Sequence, residues 1–165
     1  MIVEQERRPD GAPSRGSMER QDDNPAAAAP LALVVDDEAL LALEMEDLLA
    51  GAGFATLIAC SEAAARAVPA AALSVAVVNL RLNGELLGHG IIRSLRRLRP
   101  DLPIVVVTGY DSDAPQADLR GLGWPTVRLQ KPQHGEYLVG AVRDVMAQAK
   151  CGARPRGGRR QVDRV

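Results

Sequence analysis

Apolar and polar positions between residues 31 and 150 follow two rhythms. Five short runs, Leu31–Val35, Ala55–Cys60, Ser74–Leu80, Pro103–Thr108 and Val127–Gln130, are too short for helices and are mostly apolar, as strands buried on both faces are. The intervening stretches change to a helical period. Glu38–Gly51 places Leu41, Met45, Leu48 and Leu49 on one face and Glu44, Glu46 and Asp47 on the other. Ser61 is an N-cap for a short Ala-rich helix that Pro69 ends. Gly90–Leu98 turns Ile91, Ile92, Leu95 and Leu98 inward and Arg93, Arg96 and Arg97 outward. Asp113-Ala-Pro opens a short, weakly apolar fourth helix, and Gly135–Lys150 closes the series with a stripe of Leu138, Ala141, Val142, Val145 and Ala149. Strands alternating with helices through five rounds predict a parallel sheet covered on both faces.

The carboxyl ends of the strands carry the chemistry. Leu31–Val35 delivers Asp36 and Asp37, Ser74–Leu80 presents Asn79, Ile104–Val107 delivers Thr108, and Val127–Gln130 delivers Lys131. In an open parallel sheet such ends gather around one crevice, bringing together two carboxylates, an amide, a hydroxyl and an ammonium. Each has a plain reading as well. Asp36-Asp37 serves equally as a helix N-cap with a solvated neighbour, Thr108 as a β-branched strand end, Lys131 as a surface lysine and Asn79 as a turn amide.

Composition narrows the partners. The 165 residues suit one domain with two tails: a polar, Pro-containing segment 1–30 expected to be disordered, and residues 151–165, where five arginines face one aspartate for a net of +4. Met18 is a candidate alternative start. The middle, 31–150, is mildly acidic at −3 and offers no broad basic face for nucleic acid, and a charge run without aromatics reads first as a solvated tail. No apolar stretch approaches a membrane span. Cys60 and Cys151 lack CxxC spacing and fit reduced thiols in the cytoplasm, and His89 and His134, without paired spacing, read as surface residues.

Asp36-Asp37, Asn79, Thr108-Gly109 and Lys131-Pro132, in that order at successive strand ends, resemble the receiver domain of bacterial two-component response regulators. Asn83-Gly84-Glu85, Thr108-Gly109-Tyr110-Asp111 and Leu129-Gln130-Lys131-Pro132 resemble a stand-alone subgroup without an output domain. The resemblance implies an α/β, doubly wound, flavodoxin-like fold with a five-stranded parallel sheet in the order 2-1-3-4-5 and five helices. It implies Mg2+ held by Asp36, Asp37, the acceptor side chain and the main-chain carbonyl of Arg81, with Thr108 and Lys131 contacting a phosphoryl group. It also makes Lys131-Pro132 a candidate cis peptide.

This chain departs from that pattern at the centre. The family's phosphoaccepting aspartate is Asn79, the aromatic switch position is Arg128, and the Phe after Lys-Pro is Gln133. Tyr110 stands near enough in sequence to take part of the switch role. An amide is a far poorer nucleophile than a carboxylate, so phosphorylation at position 79 is not expected, and the lost negative charge weakens Mg2+. The expectation is an atypical, non-enzymatic receiver in phosphorelay signalling that binds a histidine kinase, a phosphotransfer protein or another receiver. Two alternatives stand beside it: phosphoryl acceptance by Asp36 or Asp37, and nucleic-acid binding through the arginine tail.

Overall fold

The computed structural model describes residues 28–152; the expected tail disorder, the alternative start and the arginine tail lie outside them. Five strands, β1 (Leu31–Val35), β2 (Ala55–Ala59), β3 (Val75–Asn79), β4 (Ile104–Thr108) and β5 (Thr126–Gln130), form one sheet in the order β2-β1-β3-β4-β5. Every pairing is parallel. Four α-helices cover it: α1 (Ala39–Gly51), α2 (Glu62–Ala67), α3 (Gly88–Leu98) and α4 (His134–Cys151).

The central strands β1, β3 and β4 read as almost wholly apolar because both faces are buried, whereas the edge strands β2 and β5 are only partly buried. Alternate residues divide between two cores: Leu33, Val35, Ala76, Val78, Ile104 and Val106 pack on the α2/α3 side, and Ala32, Val34, Val75, Val77, Val105 and Val107 on the α1/α4 side. Each fully buried Val, Leu or Ile contributes about 1.5–3 kcal/mol, so this double burial holds the sheet as a rigid platform for its carboxyl edge. The helical layers differ in charge. Helix α1 carries Glu44, Glu46 and Asp47 and no basic residue, whereas α3 carries Arg93, Arg96 and Arg97 and no acidic one.

Three expectations are corrected here. The fourth predicted helix is a 3-10 turn at Pro115–Ala117, followed by Gly121 and Gly123 at positive φ. Only Ala117 and Leu122 are buried in that stretch, too few for an apolar stripe, so nothing offsets the cost of nucleating a helix. In α3, Leu98 is 72% exposed while Arg96 is buried at 8%. Buried Ile92 and Leu95 set the inward stripe; Arg96 lies four residues after Ile92 at its margin, and its guanidinium meets the carbonyl oxygens of Leu102, Leu122 and Pro125 and the Thr126 hydroxyl. His134, expected at the surface, is 2% exposed. Helix α4 starts one residue earlier than predicted, which puts His134 four residues before Leu138 on the buried stripe. Its ring nitrogens have no hydrogen-bond partner among the described residues.

Smaller expectations agree. Ser61 caps α2 by accepting a bond from the Ala64 amide at 3.2 Å, and the Lys131–Pro132 bond is cis, as is Trp124–Pro125.

Candidate functional site

The two-residue period of the strands explains which side chains meet. Asp36 follows Ala32 and Val34 in parity, Asn79 follows Val75 and Val77, and Lys131 follows Val127 and Leu129, all toward the α1/α4 side. Register does the rest: Val35 stands opposite Val78, and Asn79 opposite Val107. The result is an open cleft of about 540 Å³ lined by Asp37, Glu38, Asn79, Thr108, Tyr110 and Lys131, among others.

Asp36 is the hub. It is completely buried, and both its oxygens are occupied: Oδ1 accepts from Asn79 Nδ2 at 3.2 Å and from the Glu38 amide at 3.0 Å, while Oδ2 accepts from Lys131 Nζ at 3.0 Å. A buried carboxylate without such partners would cost several kcal/mol. Lys131 also donates to Glu38 Oε1 at 2.9 Å, so one ammonium bridges two carboxylates with its side chain only 14% exposed. Asn79 is 6% exposed, and its Oδ1 accepts from the Arg81 amide at 3.3 Å.

Asp37 reaches outward instead. Its Oδ2 accepts from the Asn83 amide at 2.7 Å, in a tight turn where Leu82 and Glu85 exchange both backbone bonds. Asn83 and Gly84 have φ of 51° and 84°, the left-handed pair that an Asn-Gly turn supplies. The simple N-cap reading of the aspartates does not hold, since the cap residue of α1 is Glu38 and no side chain caps that end. Gly88, at the start of α3, sits against strand β3: a Cβ there would collide with the Asn79 carbonyl oxygen and lie 2.6 Å from Leu80 Cα.

Thr108 is buried, and its Oγ1 accepts from the Tyr110 amide at 3.2 Å. Arg128, at the expected aromatic position, is buried and donates from Nη1 to the Tyr110 carbonyl at 3.3 Å, while Gln133 is exposed at the cap of α4. The Arg81 side chain is exposed, with Nε on the Gly84 carbonyl. Asp36, Asn79 and Lys131 therefore form one bonded cluster with Thr108 beside it, whereas Arg128 reaches the Tyr110 carbonyl and Gln133 is exposed. Sequence reading passed over Glu38; its signal was a third acid in the run Asp36-Asp37-Glu38. It also passed over Gly88, which nothing in the local pattern marks.

A doubly wound α/β sheet whose carboxyl edge presents an acidic pair, a hydroxyl and a lysine in one crevice defines the class of protein. Comparison with family models makes the family explicit: residues 32–143 match the response regulator receiver domain, and the chain belongs to that family. Among solved structures, a response regulator receiver protein from Sinorhizobium medicae WSM419 is 28% identical, with 73% of this chain and 97% of that one covered at a TM-score of 0.64. A response regulator protein from Burkholderia pseudomallei, bearing a phosphorylated aspartic acid, a calcium ion and citrate, is also 28% identical, covering 74% and 72% at 0.60. A CheY-like receiver domain from Methanospirillum hungatei JF-1 shares the fold at 19% identity and a TM-score of 0.64, covering 76% and 99%. Comparison with curated proteins yields no match.

The donor set does not fit the divalent cation that the family implies. The Asp36 oxygens and Asp37 Oδ2 already accept bonds from the chain, and Asn79 turns its NH2, a donor, toward Asp36. Among the described residues no group of three or more His, Cys, Asp or Glu is placed to hold a metal ion, and no helix is long and apolar enough to cross a membrane.

Proposed function

We propose that this chain is an atypical, stand-alone receiver that acts in two-component phosphorelay signalling by binding a partner protein, without phosphorylation at Asn79. The observation that carries the reading is the bond from Asn79 Nδ2 to Asp36 Oδ1. A carboxylate at position 79 would set two like charges against each other; the amide makes a donor–acceptor pair. The Burkholderia relative carries its phosphoryl group on an aspartic acid, a nucleophile this strand end lacks.

Partners of matching chemistry are a histidine kinase, a phosphotransfer protein or another receiver, met in the cytoplasm, where Cys60 and Cys151 stay as free thiols. Helix α1, which exposes Leu40 at 83% and Leu43 at 50%, offers one docking face, and the edge strand β5 and α4 offer the other. Acceptance by Asp36 is disfavoured by its complete burial and occupied oxygens.

The test is acetyl phosphate with Mg2+ on the full chain, read by intact mass, together with Asn79→Asp. Wild type is expected to gain no phosphoryl group, and Asn79→Asp to gain one, because the substitution is nearly isosteric and restores only the charge and the nucleophile. Affinity for a captured kinase or phosphotransfer protein is expected to change less than tenfold with the donor, below about 1.4 kcal/mol of coupling. A phosphorylated wild-type species would overturn the reading.

A further inference from the structure

We propose that Lys131, gripped between Asp36 and Glu38, is a built-in counter-ion that stands in for a divalent cation and makes this pocket indifferent to Mg2+. The proposal goes beyond partner binding, and rests on that reading only in taking Asn79 as unmodified. Asp36, Asp37 and Glu38 bring three carboxylates to the mouth of the sheet, and the Lys131 ammonium lies 3.0 Å from one and 2.9 Å from another.

Burial makes the arrangement exclusive. Asp36 has no exposed surface, so it must keep a cationic or donor partner in the folded chain. A metal ion can approach its oxygens only by expelling the lysine and breaking the Asn79 bond, and a small divalent ion gives up its water reluctantly. Glu38 makes expulsion harder by holding the same ammonium from the outside. The three-way contact also joins the start of α1 to the end of β5, elements at opposite ends of the chain's folded segment. In this assignment Glu38 and Lys131 are positioning residues that keep the buried Asp36 paired without a cofactor.

The test uses the full-length protein with MgCl2 alone as probe, against NaCl of equal ionic strength. The amide resonances of Asp36, Asp37, Asn79 and Arg81 and the urea midpoint are followed. Wild type is expected to show no saturable shift and no change of midpoint up to about 1 mM MgCl2, because a ligand stabilises only as far as it binds the native state. Lys131→Met is expected to unfold at lower urea in EDTA, to regain midpoint with MgCl2, and to bind the ion about tenfold more tightly than wild type or better. A saturable wild-type response below about 1 mM would overturn the proposal, as would a Lys131→Met protein that keeps the wild-type midpoint in EDTA or ignores MgCl2. Should that variant fold under neither condition, the wild-type titration decides alone. Acetyl phosphate is absent throughout, so failure here leaves the phosphorylation test of Asn79 standing.

Discussion

Replacing Arg96 with Met tests whether a buried cation organises the distal half of the sheet. Met keeps much of the aliphatic stem and removes only the guanidinium, which makes five bonds: Nε and Nη2 to the Leu102 carbonyl at 3.2 and 2.9 Å, Nη1 to the Leu122 carbonyl at 2.6 Å and Thr126 Oγ1 at 2.9 Å, and Nη2 to the Pro125 carbonyl at 2.5 Å. Two effects oppose each other. Burial lowers the Arg96 pKa to about 10, still charged at neutral pH, and at about 1.4 kcal/mol for each tenfold the variant recovers roughly 3.5 kcal/mol of desolvation. Against this, bonds from a charged donor contribute about 1.5–3 kcal/mol each, and even the low end for five exceeds the recovered amount by roughly 4 kcal/mol. The Pro125 carbonyl keeps the Ile104 amide, but the buried Leu102 and Leu122 lose their guanidinium partner. Urea denaturation is expected to show the midpoint falling by about 2 M at unchanged slope, taking m near 2 kcal/mol/M. Arg96→Lys should recover only part, since an ammonium cannot fork. A midpoint within about 0.5 M of wild type would mean that desolvation cancels the bonds and the clasp is energetically idle.

Gly88→Ala drives a Cβ into the Asn79 carbonyl, so α3 must withdraw from the end of β3; a loss of about 1–3 kcal/mol and large shifts of the Asn79 and Leu80 amides are expected, and a variant with wild-type spectra would refute the close approach. Asp118 is held down to about 2 from 3.8 by its bonds to the Arg120 side chain and amide. Its contribution is therefore present above pH 3.8 and lost as pH falls through about 2, and the carboxyl resonance should titrate there, returning toward 3.8 in Arg120→Ala.

The centre of the sheet was readable from sequence because β1, β3 and β4 are buried on both faces, and continuous apolar runs such as Val75–Val78 leave little ambiguity. Four of the strand ends therefore arrived with their chemistry attached. What periodicity misread depends on partners distant in the chain. Arg96 looked solvent-facing because arginine is charged, yet its guanidinium is matched by carbonyls six to twenty-nine residues away. The Asp113-Ala-Pro start signal opens only a 3-10 turn with Ala114 at its cap and no side-chain cap bond, and the following residues lack the apolar stripe that would make a helix worth forming. The likeness to receivers located Asp36, Asn79 and Lys131 but was silent on Glu38, whose part appears only once Lys131 folds back across the cleft.

The unequal charge of the two helical layers bears on how the molecule meets others. With acids on α1 and arginines on α3, on opposite sides of the sheet, the domain carries an electric moment across its thin dimension although residues 31–150 have a net charge of only −3. Within a Debye length, about 8 Å at physiological salt, an approaching charged protein exerts a torque on it before touching. A basic partner is turned toward α1 and an acidic one toward α3, so the choice of face begins in diffusion and fades as ionic strength rises.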